Sequence, residues 1–414
     1  MKIIADLKAL NREQRATFLA SVLGWTLDAF DFFLMVFVVK AIAKDFHAEK
    51  ESVLWALTLT LMFRPLGALF FGRLADRYGR RPILMINVLS FSFLELASAF
   101  APSLPVFLVL RALFGFAMGG EWGIGSSLVM ESVPAQSRGT VSGILQEGYA
   151  LGYLLAAVVY GLLFDLIGWR GMFVVGVIPA LLVFYIRMYV KESPAWERNQ
   201  FQAKRIDWSA LFRHHGKSFL YVILLMTAFT FFSHGTQDLY PTFLQEQHGL
   251  PTKTVSAISV VANIGAMVGG ITFGFYSQRI GRRRAIIIAA LLALPIIPLW
   301  AFSTTPLWLG LGAFLMQIAV QGAWGVIPAH LNELSPEELR GTFPGFAYQL
   351  GNFFASSNAV LQGWIATRHG GNYALALALV AAAAALAVAG LTACGREARE
   401  AVLGNELDAA ELAR

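Results

Sequence analysis

Residues 233–242 read Ser-His-Gly-Thr-Gln-Asp-Leu-Tyr-Pro-Thr, a polar island inside an otherwise apolar run from 219 to 244. Lipid offers no hydrogen-bond partner at such a depth, so these groups must pair with one another or line a wet cavity. On a helix His234 and Asp238 lie one turn apart with Gln237 beside them, so all three can face one path. Pro241 lacks an amide hydrogen and clashes with the preceding turn, so the helix should be interrupted there. An imidazole, an amide and a carboxylate converging on a broken helix suit the holding of an organic anion and the exchange of a proton.

The other ionisable groups in apolar runs lie mostly in the first half of the chain. Asp28 and Asp31 share one helical face, with Asp28 about 16 Å along from Thr17 and so near mid-membrane. Two close carboxylates in low dielectric do not both stay ionised, which makes one of them a candidate proton carrier. Glu147, deep in the fifth run, is a third candidate. The plainer alternatives are an arginine partner for an aspartate and a backbone-bonded carboxyl for Glu147. Arg64, about 18 Å along the second run, requires an anionic partner. That partner is either an internal aspartate or a substrate carboxylate gripped by two parallel hydrogen bonds. Glu121 reads as a gate or pairing residue, and Glu95 with Arg111 as structural pairing groups. In the eleventh run Gln349 and Asn352 present two amides, fitted either to hydroxyl or keto groups of a substrate or to interhelical bonding.

The elements that must position these groups follow from composition. The chain has 414 residues, 57% apolar and 14% charged. A soluble chain averages about 25% charged residues, so most of this surface must face lipid. The single cysteine, Cys394, excludes an internal disulfide and a cysteine metal cluster. No phosphate loop, metal cluster or nucleophile elbow is present, so neither an enzyme nor a cofactor or metal is expected. The net charge of +6 resides in loops rather than in a nucleic-acid patch. The expected partners are therefore the lipid bilayer, a small organic anion and a proton, with no nucleic acid. Residues 1–15 are polar and amphipathic, and the first apolar run is long enough to cross, so no cleavable leader is expected.

Apolar runs of roughly 20 residues recur about twelve times. They cover 17–40, 52–74, 83–101, 105–129, 139–163 and 171–190, then 218–243, 254–276, 285–303, 307–331, 341–366 and 373–393. The expectation is an all-α membrane protein, with twelve transmembrane helices in two six-helix bundles. The bundles would occupy 1–190 and 218–393, joined by a linker at 191–217 with a short surface helix and followed by a tail at 394–414. Most of the 32 lysines and arginines fall on one side of these runs. Lys40, Lys44, Lys50, Arg170, Lys253 and Arg368 fall on the other, so the positive-inside rule places both termini in the cytoplasm.

The halves repeat at an offset of 202 residues. Gly72-x-x-x-Asp76-Arg77-x-Gly79-Arg80-Arg81 returns as Gly274-x-x-x-Gln278-Arg279-x-Gly281-Arg282-Arg283, and Trp122-Gly123 returns as Trp324-Gly325. Glu131-x-x-Pro134-x-x-x-Arg138-Gly139 returns as Glu333-x-x-Pro336-x-x-x-Arg340-Gly341. With Arg111-x-x-x-Gly115-x-x-x-Gly119, these motifs resemble the major facilitator superfamily over essentially the whole chain. The resemblance implies a cytoplasmic gate built from Asp76, Arg77, Arg80, Glu131, Arg138, Glu333 and Arg340, weaker where Gln278 replaces the acid. The alternative is that these arginines only set topology.

Ser233, His234, Thr236, Gln237, Asp238 and Thr242 match the signature Asn-x-x-Ser/Thr-His-x-Ser/Thr-Gln-Asp-x-x-x-Thr. The stretch resembles lactate and other monocarboxylate permeases of the sialate:proton symporter family, and departs from them at Thr230, which stands for the leading Asn. That resemblance implies a monomeric carrier in a bacterial inner membrane. It would import a small monocarboxylate such as lactate or pyruvate with a proton, using Gln349 and Asn352 in recognition. Sialic acid or an aromatic acid is the runner-up substrate; a non-transporting sensor and an export antiporter are the rival classes.

Overall fold

The computed structural model describes residues 2–199, 208–399 and 401. Part of the expected linker and most of the expected tail lie outside the described residues.

Ten helices among the described residues are long and apolar enough to cross a membrane. One of them, Ala135–Tyr189, is two crossings folded back at Gly168, whose φ of 62° is open to a residue without a side chain. A further crossing, broken between Phe343–Ala355 and Asn358–Arg368, is too interrupted to appear among the ten. The spans among the described residues are therefore twelve. The first six are Arg12–Asp45, Lys50–Tyr78, Arg80–Ala99, Leu104–Ser132 and the two limbs of Ala135–Tyr189. The seventh runs from Trp208–Gln237 into Tyr240–Thr242, and the eighth and ninth are Thr252–Ile280 and Arg282–Phe302. Pro306–Leu334 is the tenth, Phe343–Ala355 with Asn358–Arg368 the eleventh, and Tyr373–Cys394 the twelfth.

Several boundaries differ from the hydropathy reading for local reasons. The third and ninth spans begin at Arg80 and Arg282, ahead of their first long apolar residues, because Gly79 and Gly281 alone turn the chain. Their φ values of 106° and 97° are accessible essentially to glycine only. The seventh span starts within the expected linker, at Trp208, and the linker's expected short helix is Pro194–Asn199. Asn11 starts the first span with a capping box, accepting from the Gln14 amide while the Gln14 side chain accepts from its own.

The apolar core falls into clusters that lie mostly within one half or the other. In the first half one cluster centres on Phe30, Leu34, Phe107 and Phe173, and another on Phe71, Leu84, Phe91 and Phe114. The second half buries Phe229, Phe232, Trp300 and Leu377 in one large cluster. Small residues let the spans cross closely: Gly67 lies against the Phe116 carbonyl, and its repeat Gly269 against that of Ile318. Gly119 presses on the backbone of Arg64, fixing that arginine's depth.

Contacts between the halves gather at the end that carries the arginine loops. Gly72 packs against Thr342, Gly123 against Gly345, Gly139 against Gly274 and Gly143 against Gly270. The Ser142 hydroxyl donates to the Gly325 carbonyl at 2.7 Å, and the Asn332 amide to the Ser126 hydroxyl at 3.3 Å. This end is shut.

Candidate functional site

Arg64 sits at the middle of the second span, one residue before Pro65, and is 5% exposed. Its Nη2 reaches Asp28 Oδ2 at 3.5 Å and also touches the Met118 sulfur, while the guanidinium lies 5.4 Å from the centre of the Phe32 ring. A 3.5 Å ion pair is long for a charge-assisted bond, and the Arg64 Nε is buried with no acceptor. Asp28 thus holds Arg64 loosely.

Around this pair the first half stores further acid. Asp31 is fully buried, and neither of its oxygens has a donor. Asp31 stands within electrostatic reach of Asp28, Glu95 and Arg111, and Arg111 is hydrogen-bonded to Glu95. Glu121 is also buried with both oxygens unpartnered, in reach of Asp28 and Arg64 and against Gly24. Its place is therefore beside the central pair rather than in the loop network. Glu147 caps the break between Arg138–Gln146 and Gly148–Val175, with Oε1 unpartnered and in contact with Gly270 of the other half. No backbone donor engages that oxygen.

Across the centre, the helix Trp208–Gln237 ends just ahead of Pro241, which sits in the first turn of the next short helix. His234 Nδ1 lies 3.0 Å from Asp238 Oδ1 and 3.2 Å from Oδ2. An ionised carboxylate only accepts, so the imidazole donates. The two side chains are 45% and 36% exposed, unlike most polar groups on this helix. Their neighbours are committed elsewhere. Gln237 donates to Gln317 at 2.9 Å, Gln317 donates to Thr236 at 3.4 Å, and Gln362 donates to the Gly235 carbonyl at 2.6 Å. The structure therefore joins His234 to Asp238 and turns Gln237 toward the tenth span.

Gln349 and Asn352 form one unit with Thr230. The Thr230 hydroxyl is placed to donate to Asn352 Oδ1 at 3.2 Å, and Asn352 Nδ2 donates to Gln349 Oε1 at 3.1 Å. Tyr348, on the same helix, is hydrogen-bonded to Asn352 and stands within electrostatic reach of Arg64 and Asp28. Tyr348 thus links the amide pair of the eleventh span to the field of the arginine of the second.

The loop motifs make a second site at the shut end. Asp76 accepts from the Gly341 amide at 2.7 Å and the Thr342 hydroxyl at 2.6 Å, and pairs with Arg80 at 3.2 Å. Glu131 receives Arg80 at 3.3 Å and, from the other half, Arg340 at 3.6 Å. Glu333 receives Arg282 at 2.8 Å and lies in electrostatic reach of Arg138, the repeat of Arg340. Arg138 itself donates to the carbonyls of Met130 and Ala401. Gln278 accepts the Gly139 amide at 3.3 Å, a longer and neutral version of the Asp76 contact. Arg77 lies outside this network, exposed and stacked 5.1 Å over Tyr78.

Some participants escape sequence reasoning. Glu192 accepts from the amides of Arg80 and Arg81 at 2.9 and 3.0 Å, and Glu397 from those of Arg282 and Arg283 at 3.2 and 3.1 Å. Each acid closes the N-terminus of a helix that lacks a side-chain cap of its own. Burial pushes the Glu192 carboxyl up, against the opposing pull of those amides. The bare helix starts after Gly79 and Gly281 signal that an acceptor is needed, without saying where it comes from. Asp6 on the helix Lys2–Ala9 accepts the Thr140 hydroxyl at 2.7 Å, and no motif marks it.

The arrangement has counterparts among known proteins. The family model described as Major Facilitator Superfamily matches residues 21–357 and 239–409. The chain is 28% identical over 381 residues to the sialic acid transporter NanX of Escherichia coli, covering 92% of this chain and 94% of that protein. It is 32% identical to a probable 4-methylmuconolactone transporter of Cupriavidus pinatubonensis, covering 88% and 86%. The solved proton:xylose symporter XylE superimposes with a TM-score of 0.78 over 96% of this chain and 99% of that one, at 19% identity. That likeness carries the fold. These relatives are transporters, and the chain, an integral multi-pass membrane protein and not an enzyme, belongs to the Major Facilitator Superfamily.

Proposed function

We propose that this chain imports a small organic monocarboxylate together with a proton, by alternating access of its two halves at 1–190 and 218–393. The observation that carries the reading is the loose Arg64–Asp28 pair, surrounded by the donorless oxygens of Asp31 and Glu121. A guanidinium at this depth holds a carboxylate, and an arriving anion displaces Asp28 from it. Among the described residues no other cation pairs with Asp28, so the displaced carboxylate takes a proton rather than stay charged and buried. Asp28, Asp31 and Glu147 are the proton seats, and Glu121 keeps the central field negative enough to favour protonation.

The second half supplies orientation. His234 and Asp238, tied only to each other and open, meet the anion first; Gln349 and Asn352 bond its hydroxyl or keto group, and Gln237 braces the helix through Gln317. The Asp76 latch keeps the arginine-loop end closed until the site is loaded. The arginine-rich loops support a cytoplasmic position for that end and for both termini, and the membrane proposed is a bacterial inner membrane. The carrier unit proposed is a monomer.

Lactate or pyruvate, a carboxylate with an adjacent hydroxyl or keto group, is the first reading. A larger acid is the second reading, favoured by relatives named for sialic acid and 4-methylmuconolactone. Uptake of a labelled carboxylate panel by proteoliposomes under an imposed pH gradient tests the proposal. Accumulation should follow outside acidity and vanish when the gradient is collapsed. Accumulation driven by sodium instead, or by no gradient, would sink it.

A further inference from the structure

We infer that a cavity between the arginine-loop ends of the seventh and twelfth spans seats the phosphate headgroup of an anionic phospholipid. The cavity holds about 320 Å³, the size of a small-molecule pocket, and none of the central groups lines it. Its lining includes Lys217, Ser218 and Tyr221 of the seventh span, Cys394 and Arg396 at the end of the twelfth, and Phe343 of the eleventh. Lys217 and Arg396 are exposed, and among the described residues neither is ion-paired. Arg396 gives one long bond, 3.3 Å, to the Leu334 carbonyl. Glu397, next in the chain, has both oxygens engaged by the amides of Arg282, Arg283 and Arg399. The Tyr221 hydroxyl is buried against Gly395, at a spot that a side chain there would fill, and has no hydrogen-bond partner among the described residues. Arg283 stands within electrostatic reach of it.

The internal repeat shows that this excess of positive charge belongs to one half. At the matching junction of the first half, Lys191 and Glu13 tie the ends of the sixth and first spans at 2.6 Å. Their counterparts 202 residues on are Ala393 and His215, so the acid of that pair has no equivalent in the second half. Two cations stand at the second junction instead, and an anion from outside the protein completes it. The surroundings select a lipid. Lys217, Leu220, Tyr221 and Leu224 share one helical face, on which Leu220 and Leu224 are 59% and 48% exposed. Acyl chains can lie along the leucines while the phosphate meets Lys217, Arg396 and the hydroxyls of Ser218 and Tyr221. Basic pockets between spans hold anionic headgroups in this way. A free anion would leave the leucine face uncovered.

Cys394 is the chain's single cysteine and lines the cavity, so its labelling by uncharged N-ethylmaleimide reports occupancy. The full chain is placed in nanodiscs of phosphatidylcholine, or of equal parts phosphatidylcholine and phosphatidylglycerol. Labelling should be at least about threefold slower in the mixed discs, because the two cations hold the headgroup over the thiol. Lys217→Gln with Arg396→Gln should shrink that ratio to less than about 1.5-fold. Lys8→Gln with Arg12→Gln removes the same charge from exposed positions at the same end and should keep the ratio. Ratios are compared within each variant, so a change in intrinsic thiol reactivity cancels. Equal wild-type rates in the two discs overturn the proposal. A ratio that survives in the Lys217 and Arg396 variant also overturns it, as an effect of the anionic surface on any thiol. Loss of the ratio in the Lys8 and Arg12 variant does so too, since net charge alone then decides. In detergent, millimolar inorganic phosphate should leave the rate unchanged; protection as strong as that of the mixed discs overturns the lipid in favour of a free anion.

Discussion

Thr230 and Asn352 meet across the second half of the protein, the hydroxyl 3.2 Å from the amide oxygen. The threonine stands where the monocarboxylate-permease signature has asparagine, and its partner belongs to the amide pair of the eleventh span. The two sequence features are thus one structure. A threonine has a single hydroxyl proton, and the Met226 carbonyl at 2.9 Å competes for it. The anchor on Asn352 is therefore weaker than an asparagine would provide. Thr230→Val removes it at nearly constant shape, and should raise the KM for uptake about three- to tenfold, the cost of one neutral hydrogen bond. Thr230→Asn should leave KM unchanged or lower it. Initial-rate uptake at varied substrate gives both numbers, and an unchanged KM in the valine variant would remove Asn352 from recognition.

Arg64→Lys keeps the charge but loses the fork, and with it the parallel bonds to a carboxylate. Both Arg64→Lys and Arg64→Ala should lower kcat/KM for uptake by about 100-fold, because a point charge at this depth does not replace two aligned donors. A lysine variant with wild-type affinity would reduce Arg64 to an internal counter-ion of Asp28.

His234→Ala and Asp238→Asn should each cut uptake by about tenfold or more while leaving expression and membrane insertion near normal, since the pair is open and supports little packing. The double variant should be little worse than either single, because the two bond only each other. Gln237→Ala, by contrast, should act through its bond to Gln317 and add to their losses. Losses of the first two that simply multiply would make them independent residues on a common helix.

Asp76→Ala removes the acceptor of Gly341 and Thr342 and takes one of the acids, beside Glu131 and Glu192, from around Arg80. Charge-assisted bonds are roughly twice as strong as neutral ones, so this change should open the arginine-loop end far more than Gln278→Ala does. A cysteine placed at the buried Ser126, in a Cys394→Ser background, reports the opening by its rate of maleimide labelling. The rate should rise about tenfold or more in Asp76→Ala and less than about threefold in Gln278→Ala. Equal rates would mean that the glycine packing, common to both seams, holds this end shut.

The twelve crossings were legible because lipid leaves a chain few options: every backbone group must be satisfied inside a helix, and hydropathy shows where. The fold-back at Gly168 and the immediate turns at Gly79 and Gly281 were less so, since hydropathy registers apolar length and not the φ of one residue. Within the site, spacing on one helix was readable, and His234 with Asp238 follows from it. Partnerships between helices were not. Nothing in the sequence turns Gln237 toward Gln317 or sets Glu121 beside Arg64. Such contacts depend on the rotation of each helix about its axis, which packing decides. Arg77 shows the reverse: its motif suggests the gate, while its side chain lies outward over Tyr78.

The short helix Lys2–Ala9 reaches under the seam, where Asp6 takes the Thr140 hydroxyl and the Asp6 carbonyl accepts from Ser137 at 3.3 Å. Thr140 is the repeat of Thr342, which Asp76 takes on the opposite seam. A segment outside the spans is therefore fastened to the first half beside the seam, and both of its bonds run to that half. A nanobody that recognised this helix in its docked position would report whether it stays on the first half when the arginine-loop end opens.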